Sequence, residues 1–359
     1  MLHLKKISLV QFKNYRQQQF LFDKRVIGIT GRNGAGKTNL LDAIYYLCFT
    51  RSYFTSSESQ NTQYQTNGFR LEGDITRNGQ SEKIICTVKD GKKEISLNEE
   101  KYDRFSRHIG QFPAVMIAPD DADIILGGSE ERRKWLDTLL SQLYPDYLEH
   151  LITYQKILLQ RNTLLKNMPT AGQNPDHLLD VFDLQLVRHG TPVFQTRQHF
   201  LTTFIPQVQQ LYDYIAGRHE VVNIRYQCTL QEADFAAQLQ QARFKDMQVQ
   251  RTTAGIHRDD LLFLLDDHLM KTSASQGQRK SFLFALKLAQ FEVIRQHKQF
   301  PPLLLLDDIF EKLDQDRVNR LITLVTGDTY GQVFITDTHA DRLLQAFAAT
   351  SETIRLIEV

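Results

Sequence analysis

Between Arg25 and Leu41 the chain reads RVIGITGRNGAGKTNLL. Gly31, then four residues, then Gly36-Lys37-Thr38 is the P-loop spacing, and the flanks suit it. Val26, Ile27 and Ile29 predict a short buried strand, and Lys37 to Leu47 a helix. Gly31, Gly34 and Gly36 let the backbone turn sharply and bring N–H groups close to phosphate oxygens. The helix N-terminus adds positive dipole at the same place. Lys37 can reach β- and γ-phosphates, and the Thr38 hydroxyl can face Mg²⁺. Gly31, Arg32, Asn33, Gly34, Ala35, Gly36, Lys37, Thr38 and Asn39 are thus the candidate nucleotide-binding run.

Such a fold also needs a carboxylate at the end of a second apolar strand. Leu303 to Leu306, followed by Asp307-Asp308, supplies it. Asp307 is assigned to the metal with Thr38, and Asp308 to orienting or deprotonating the attacking water. The division of labour between the two aspartates stays open. Strands alternating with helices around a P-loop imply an α/β fold with a mostly parallel sheet. Before the helical region, Phe69, Leu71, Gly73 and Ile75 alternate with polar residues. Asn78-Gly79 and Asp90-Gly91 then mark tight hairpins, so an antiparallel meander is expected as well. The polar run Thr50 to Asn67 reads as a surface loop.

From Gly127 the pattern becomes helical for about 90 residues by its period. Ser129 reads as a cap, Pro145 opens a further helix, Met168 to Pro175 is a loop, and helices near 177–189 and 192–216 follow. Three segments are expected: 1–126 and 219–359 as two lobes of one ATPase head, and 127–218 as an inserted helical arm. The 359 residues leave room for that insertion. Net charge is +1, so any nucleic-acid contact must come from local patches. Candidates are Lys5, Lys6, Lys13, Arg16, Arg132, Arg133 and Lys134. The last three read equally as a solvated helix face, or as partners of Asp120, Asp121 or Asp123. Three scattered cysteines fit a reducing cytosol, and no apolar run of ~18 residues predicts a membrane span. A cytoplasmic protein is expected.

Ser275-Gln276-Gly277-Gln278-Arg279 opens a helix, Glu311-Lys312-Leu313-Asp314 follows the aspartate pair, and Thr338-His339 follows the strand Gln332 to Thr336. In this order the motifs resemble the ATP-binding cassette arrangement of Walker A, signature, Walker B, D-loop and switch histidine. The resemblance implies that Ser275, Gly277 and Gln278 of one copy meet the γ-phosphate held by another, and that His339 is the switch. A lone histidine after a strand also reads as a surface residue.

Local matches narrow the choice. Leu9-x-x-Phe12-Lys13-Asn14-Tyr15-Arg16, Arg132-Arg133-Lys134-Trp135-Leu136-Asp137, Tyr154 to Asn162, and Gly255-Ile256-His257-Arg258-Asp259-Asp260 followed by Ser275 to Arg279 resemble, in order, segments of the RecF family. Ile256 stands where that family usually has proline, and Glu311 to Asp314 replaces its SELD. No Q-loop glutamine stands near Ile117 to Asp123, and Arg51 and Tyr53 are unassigned.

The resemblance implies a head that binds ATP and Mg²⁺, forms an ATP-dependent homodimer and hydrolyses ATP slowly. It also implies binding to double-stranded DNA near junctions with single-stranded DNA. RecR, with RecO nearby, would be a partner in loading RecA. His257 to Asp260 reads as structural or coupling rather than catalytic. The alternatives are a transporter ATPase subunit and a nuclease-coupled ATPase. The helical insertion fits the first poorly, and the stretch after His339 is too short here for the second's nuclease domain.

Overall fold

The computed structural model describes residues 1–167, 176–217, 219–309, 315–348, 350 and 352–359. The expected loop at 168–175 and D-loop at 311–314 lie outside them. Two compact units emerge: Met1–Ala122 with Gln210–His219 and Ser275–Val359, and Asp123–Gln209 with Glu220–Ala274.

The first unit begins with β1 (Leu2–Phe12), β2 (Tyr15–Leu21) and β3 (Val26–Thr30), then helices α1 (Lys37–Phe49) and α2 (Glu58–Asn61). The meander β4 (Gly68–Arg77), β5 (Gln80–Lys89), β6 (Lys92–Leu97) and β7 (Glu100–Lys101) precedes β8 (Ala114–Ile117). An antiparallel sheet runs in the order β2-β1-β4-β5-β6-β7. Its hairpins turn at Asn78-Gly79 and Asp90-Gly91, all four residues at positive φ. That is the two-residue turn whose twist suits paired strands. Phe69, Leu71 and Ile75 are buried on one face, as the alternation predicts.

Residues 50–67 depart from the expected surface loop. They hold α2, and both Ser52 and Asn61 are buried. Ser52 is drawn in because its hydroxyl donates 2.6 Å to buried Asp42.

Short α3 (Ala122–Leu126) leads into the second unit, with α4 (Ser129–Leu143), α5 (Pro145–Asn167) and α6 (Asp176–Ala216). Gly128, not Ser129, is the N-cap of α4, without a side-chain cap. The two helices expected at 177–189 and 192–216 are one helix, continuous through Pro192 and Pro206. An internal proline costs about 3 kcal/mol. Leu179, Leu186, Val193, Phe200, Phe204 and Val208 are all buried at helical spacing across both prolines, and that continuous stripe outweighs the local break.

Strand β9 (Val222–Gln227), helix α7 (Phe235–Val249), β10 (Asp260–Leu265), β11 (His268–Leu269) and α8 (Met270–Ser273) complete this unit. This corrects the expected boundary at 219. β9 and β10 pair over six residues, and Phe263 of β10 meets Trp135 of α4 edge-on at 6.5 Å. Strand pairing and packing therefore tie 220–274 to the helices.

The chain then returns to the first unit through α9 (Gln276–Lys298), β12 (Leu303–Leu306), α10 (Gln315–Val325), β13 (Val333–Asp337), α11 (Ala340–Phe347) and β14 (Ile354–Glu358). A five-stranded sheet runs β14-β3-β13-β12-β8, parallel throughout. Parallel sheets are covered on both faces, so their strands read as apolar runs. Leu303 to Leu306 obeys this, each residue being inaccessible to water. Eleven of the thirteen residues of α1 are buried, which places that helix within the core shared with β1, β4 and β5. The fold is mixed α/β: a parallel sheet, an antiparallel meander and a helical insertion.

Candidate nucleotide site

The carboxyl ends of β3, β12 and β13 lie side by side, where open parallel sheets bind ligands. Each strand end contributes. The loop after β3 runs from Gly31 into α1. Gly36 has φ +122°, and a Cβ there would lie 2.6 Å from the Asn14 side chain and 2.8 Å from the Tyr15 hydroxyl, so only glycine fits. Asn14 Nδ2 donates to Ala35 O at 2.8 Å, Asn39 Nδ2 to Asn14 Oδ1 at 2.8 Å, and the Tyr15 hydroxyl to Gly36 O at 3.1 Å. The β1–β2 hairpin thus supports the P-loop from beneath. Asn39 belongs to the expected binding run, whereas Asn14 and Tyr15 enter the sequence reading only as part of a family match.

Lys37 is 5% exposed, and its Nζ donates to Gly31 O at 3.0 Å and Arg32 O at 3.2 Å. A buried ammonium on neutral carbonyls suits an anionic ligand, since burying a charge without compensation is costly. Arg32, Asn33 and Gly34 are exposed along the loop's outer edge.

Asp307 follows β12, and its backbone N–H donates to Ile117 O at 2.8 Å. The Thr38 hydroxyl lies 3.1 and 3.0 Å from the two Asp307 oxygens. Thr336 of β13 donates its hydroxyl to Asp307 Oδ1 at 2.8 Å, and takes the Asp308 N–H at 2.9 Å. Burial pushes the Asp307 carboxyl above its usual range. The Thr336 and Thr38 hydrogen bonds oppose that rise, and the Asp308 charge adds to it. Half-buried Asp308 sits in a left-handed conformation, φ +46°. A hydroxyl and a carboxylate are hard oxygen donors, the set Mg²⁺ takes alongside nucleotide phosphate and water. Among the described residues there is no cluster of three or more His, Cys, Asp or Glu that could hold a metal. Thr38 and Asp307 therefore fit Mg²⁺ only in company with phosphate oxygens. Thr336 is missed by the sequence reading; its signal is one hydroxyl directly after the apolar run Val333 to Ile335.

The remaining predicted residues form two further places. Ser275 caps α9: its Oγ accepts from Gln278 N–H at 3.2 Å, and Gln278 Oε1 accepts from Ser275 N–H at 2.7 Å. Ser275 is exposed, and Gly277 lies under the guanidinium of Arg317. His339 follows β13, with its N–H on Asp337 Oδ1 at 2.6 Å and Nδ1 2.8 Å from the Thr338 hydroxyl. Its side chain is 74% exposed.

Several proposed cations are engaged inside the fold. Lys13 Nζ meets buried Asp42 at 2.5 Å, and Lys6 pairs with Asp74 at 3.2 Å. Arg132 holds Asp260 at 2.6 Å, and Arg133 donates to Asp259 O at 2.5 Å, so neither pairs with Asp120, Asp121 or Asp123. Their charge is spent on closing α4 against β10. Lys5, Arg16 and Lys134 remain exposed. In the His257 to Asp260 segment, Asp259 is buried against Arg197 at 2.7 Å and Tyr226, and His257 lies between the Tyr154 hydroxyl and Thr252 O. The segment is built into its unit's interior. Among the described residues no helix is long and apolar enough to cross a membrane.

Comparison with known proteins agrees with this architecture. The RecF/RecN/SMC N-terminal domain model matches residues 3–356. The DNA replication and repair protein RecF of Flavobacterium johnsoniae is 41% identical over 359 residues, covering 100% of both chains. That of Bacteroides thetaiotaomicron is 42% identical, over 98% of this chain and 96% of its own. A recombination mediator protein RecF of the RecFOR pathway, solved as RecF-ATPrS, superposes with a TM-score of 0.89 at 28% identity, covering 99% of this chain and 96% of that one. Its RecF-ATP form gives 0.88 at 29%, covering 94% and 92%. An Smc head domain from Pyrococcus yayanosii shares the fold alone, at 0.58 and 12% identity over 100% of this chain and 95% of that one. Whole-length likeness of this kind leaves no place for the transporter or nuclease-coupled alternatives. The chain belongs to the RecF family of DNA replication and repair proteins.

Proposed function

We propose that this chain is a cytoplasmic, ATP-dependent recombination mediator and a slow, DNA-stimulated ATPase. The observation that carries the reading is the Thr38–Asp307 contact beside buried Lys37, a phosphate cradle joined to a metal-binding oxygen pair. ATP lies along Gly31 to Asn39, with Lys37 against its β- and γ-phosphates. Thr38 and Asp307 would hold Mg²⁺, which would supply positive charge to the phosphate oxygens. The exposed Ser275 and the half-buried Gly277 of a second copy close over the γ-phosphate, with Gln278 setting the helix start. Asp308 takes the proton of the attacking water. The water oxygen bonds to the γ-phosphorus, the bridge to the β-phosphate breaks, and ADP and phosphate leave. His339 contacts the γ-phosphate as the dimer closes. Because the site is completed in trans, turnover is slow and ATP times the residence on DNA.

The dimer clamps double-stranded DNA near junctions with single-stranded DNA, with the helical unit as the arm. With RecR, and RecO nearby, it assists RecA loading at gaps. Cations in contact with phosphates make that affinity fall steeply with salt.

Light scattering on wild type, Lys37→Met and Ser275→Arg tests this, with and without ATP–Mg²⁺ and short duplex DNA. The expected result is an ATP-dependent wild-type dimer that binds duplex more tightly. Ser275→Arg binds ATP yet stays monomeric, and Lys37→Met does neither. A wild type that stays monomeric with ATP and DNA present overturns the mechanism.

A further inference from the structure

Within the first unit a run of buried polar side chains joins the P-loop helix to the signature helix. Lys287 lies on α9 roughly 18 Å along the helix from Ser275, at about 1.5 Å per residue. It is 3% exposed, and its ammonium donates to Asp121 Oδ1 at 2.8 Å, the Tyr53 hydroxyl at 2.8 Å and Met116 O at 3.0 Å. All three of its protons are used. Asp121 takes the Tyr53 hydroxyl proton in hydrogen bonding on Oδ1 and the Ala118 N–H at 2.8 Å on Oδ2. The other end of Tyr53 faces α1. Its backbone N–H donates at 2.7 Å to Asp42 Oδ1, and Asp42 Oδ2 takes the Ser52 hydroxyl and Lys13 Nζ. Asp42 lies one helical turn past Thr38.

Two buried ion pairs, Lys13–Asp42 and Lys287–Asp121, are thus bridged by one tyrosine. Buried pairs of this kind seldom add net stability over apolar packing; their use lies in fixing geometry. The bridge spans three elements. Asp42 reports the position of α1, which carries Lys37 and Thr38. Lys287 fixes α9, whose first turn carries Ser275 and Gly277. Asp121 closes the turn after β8, where the chain leaves this unit. Burial and the Asp121 charge push the Tyr53 phenol well above its ordinary value, so its proton stays on the hydroxyl as donor.

We propose that Tyr53, Asp121 and Lys287 are positioning residues that set the signature end of α9 according to nucleotide occupancy at α1. This rests on the proposed function for its nucleotide and trans signature, but its own readout is intramolecular. Phosphates drawing on Lys37 and Thr38 shift α1, Asp42 moves with it, and Tyr53 passes the shift to Lys287. The Ser275 turn is ordered only when the relay is intact.

The test is hydrogen–deuterium exchange on the full chain, dilute enough to be monomeric, with and without ATP–Mg²⁺. Wild type should show ATP-dependent slowing, by about 5-fold or more, of the amides Gln278 to Phe282. Tyr53→Phe keeps the ring and removes the bridging hydroxyl. It should bind ATP within twofold of wild type, lose that slowing, and need roughly tenfold more protein to form the ATP dimer. Lys287→Met with Asp121→Leu removes the ion pair while filling the space. A purely structural role predicts that this double variant recovers wild-type ATP response along with its thermal midpoint; the relay predicts a normal midpoint and no response. ATP-dependent slowing that persists in both variants, or is missing from wild type, overturns the proposal. Slowing in a wild type that never dimerises sinks the dimer mechanism and leaves the relay standing.

Discussion

Replacing Asp307 by Asn should make the ligand-free protein more stable and the ATP-bound protein less so. The carboxylate is 4% exposed, and the side chains that hydrogen-bond it among the described residues are the neutral hydroxyls of Thr38 and Thr336, with Asp308 next to it. Its raised carboxyl pKa sets the sign. The folded state binds that proton more tightly than the unfolded chain, so stability declines as pH rises from the unfolded value through the folded one. The penalty is therefore larger at neutral pH than near pH 4. An amide keeps an oxygen for both threonines and removes the charge, a gain of about 1 kcal/mol. For a unit of this size that raises the melting midpoint by about 2–4 °C. ATP–Mg²⁺ at a hundredfold excess over its Kd stabilises wild type by about 2.7 kcal/mol. That corresponds to about 5–11 °C, and Asn should lose most of it. The order of the two proteins therefore reverses between the two conditions. Differential scanning fluorimetry at pH 7.5 reads both, and a repeat near pH 4 should show the ligand-free difference shrinking as wild-type Asp307 takes up its proton. An Asn variant that melts lower without ligand, or keeps the full response to ATP–Mg²⁺, refutes the reasoning.

In the helical unit, Arg197→Met strips the partner from buried Asp259 and from Asp137, each 2.7 Å away. It should cost about 3–5 kcal/mol and split off an earlier calorimetric transition, with nucleotide binding below that transition unchanged. Burial lowers His257 from 6.5 to about 4, so the unfolded chain takes up that proton first and stability is lost as pH falls across this window. Unfolding free energies of wild type from urea titrations should fall between pH 7.5 and 5 by about 2 kcal/mol more than those of His257→Gln. Asn14→Ala removes the prop beneath Ala35 and Asn39; titration calorimetry should show ATP affinity about 5-fold weaker, for about 1 kcal/mol, with the thermal midpoint nearly unchanged.

What the sequence disclosed divides by the range of the interaction. The P-loop, the apolar strand ending in Asp307-Asp308 and the two tight hairpins are local patterns, and each is where its residues predict. The reading of α6 as two helices fails because proline is a local signal, whereas the stripe from Leu179 to Val208 that carries the helix through Pro192 acts over about eight turns. The expected boundary at 219 fails for a related reason. Val222 to Gln227 alternates as any strand would, and only its partner, β10, assigns it to the helical unit. Strand β14 gave too weak a signal, with its side chains half-buried or exposed beside β3.

Charged residues show the limit most clearly. In the sequence Lys13, Arg132, Arg133 and Lys287 are four cations of one kind, and the first three are candidates for DNA contact. In the fold they are pinned to carboxylates or carbonyls whose positions no local pattern supplies: Lys287 finds Asp121 across 166 residues, and Arg132 finds Asp260 across 128. A chain of net charge +1 does not recruit a polyanion by its overall field, so the proposed DNA surface would have to be made from cations the interior has not claimed. Among the described residues proposed for that role, Lys5, Arg16 and Lys134 are exposed. In the proposed ATP-dependent dimer such cations would occur twice along one duplex, and because each phosphate contact steepens the dependence of affinity on salt, the dimer would hold DNA at salt that releases a single copy.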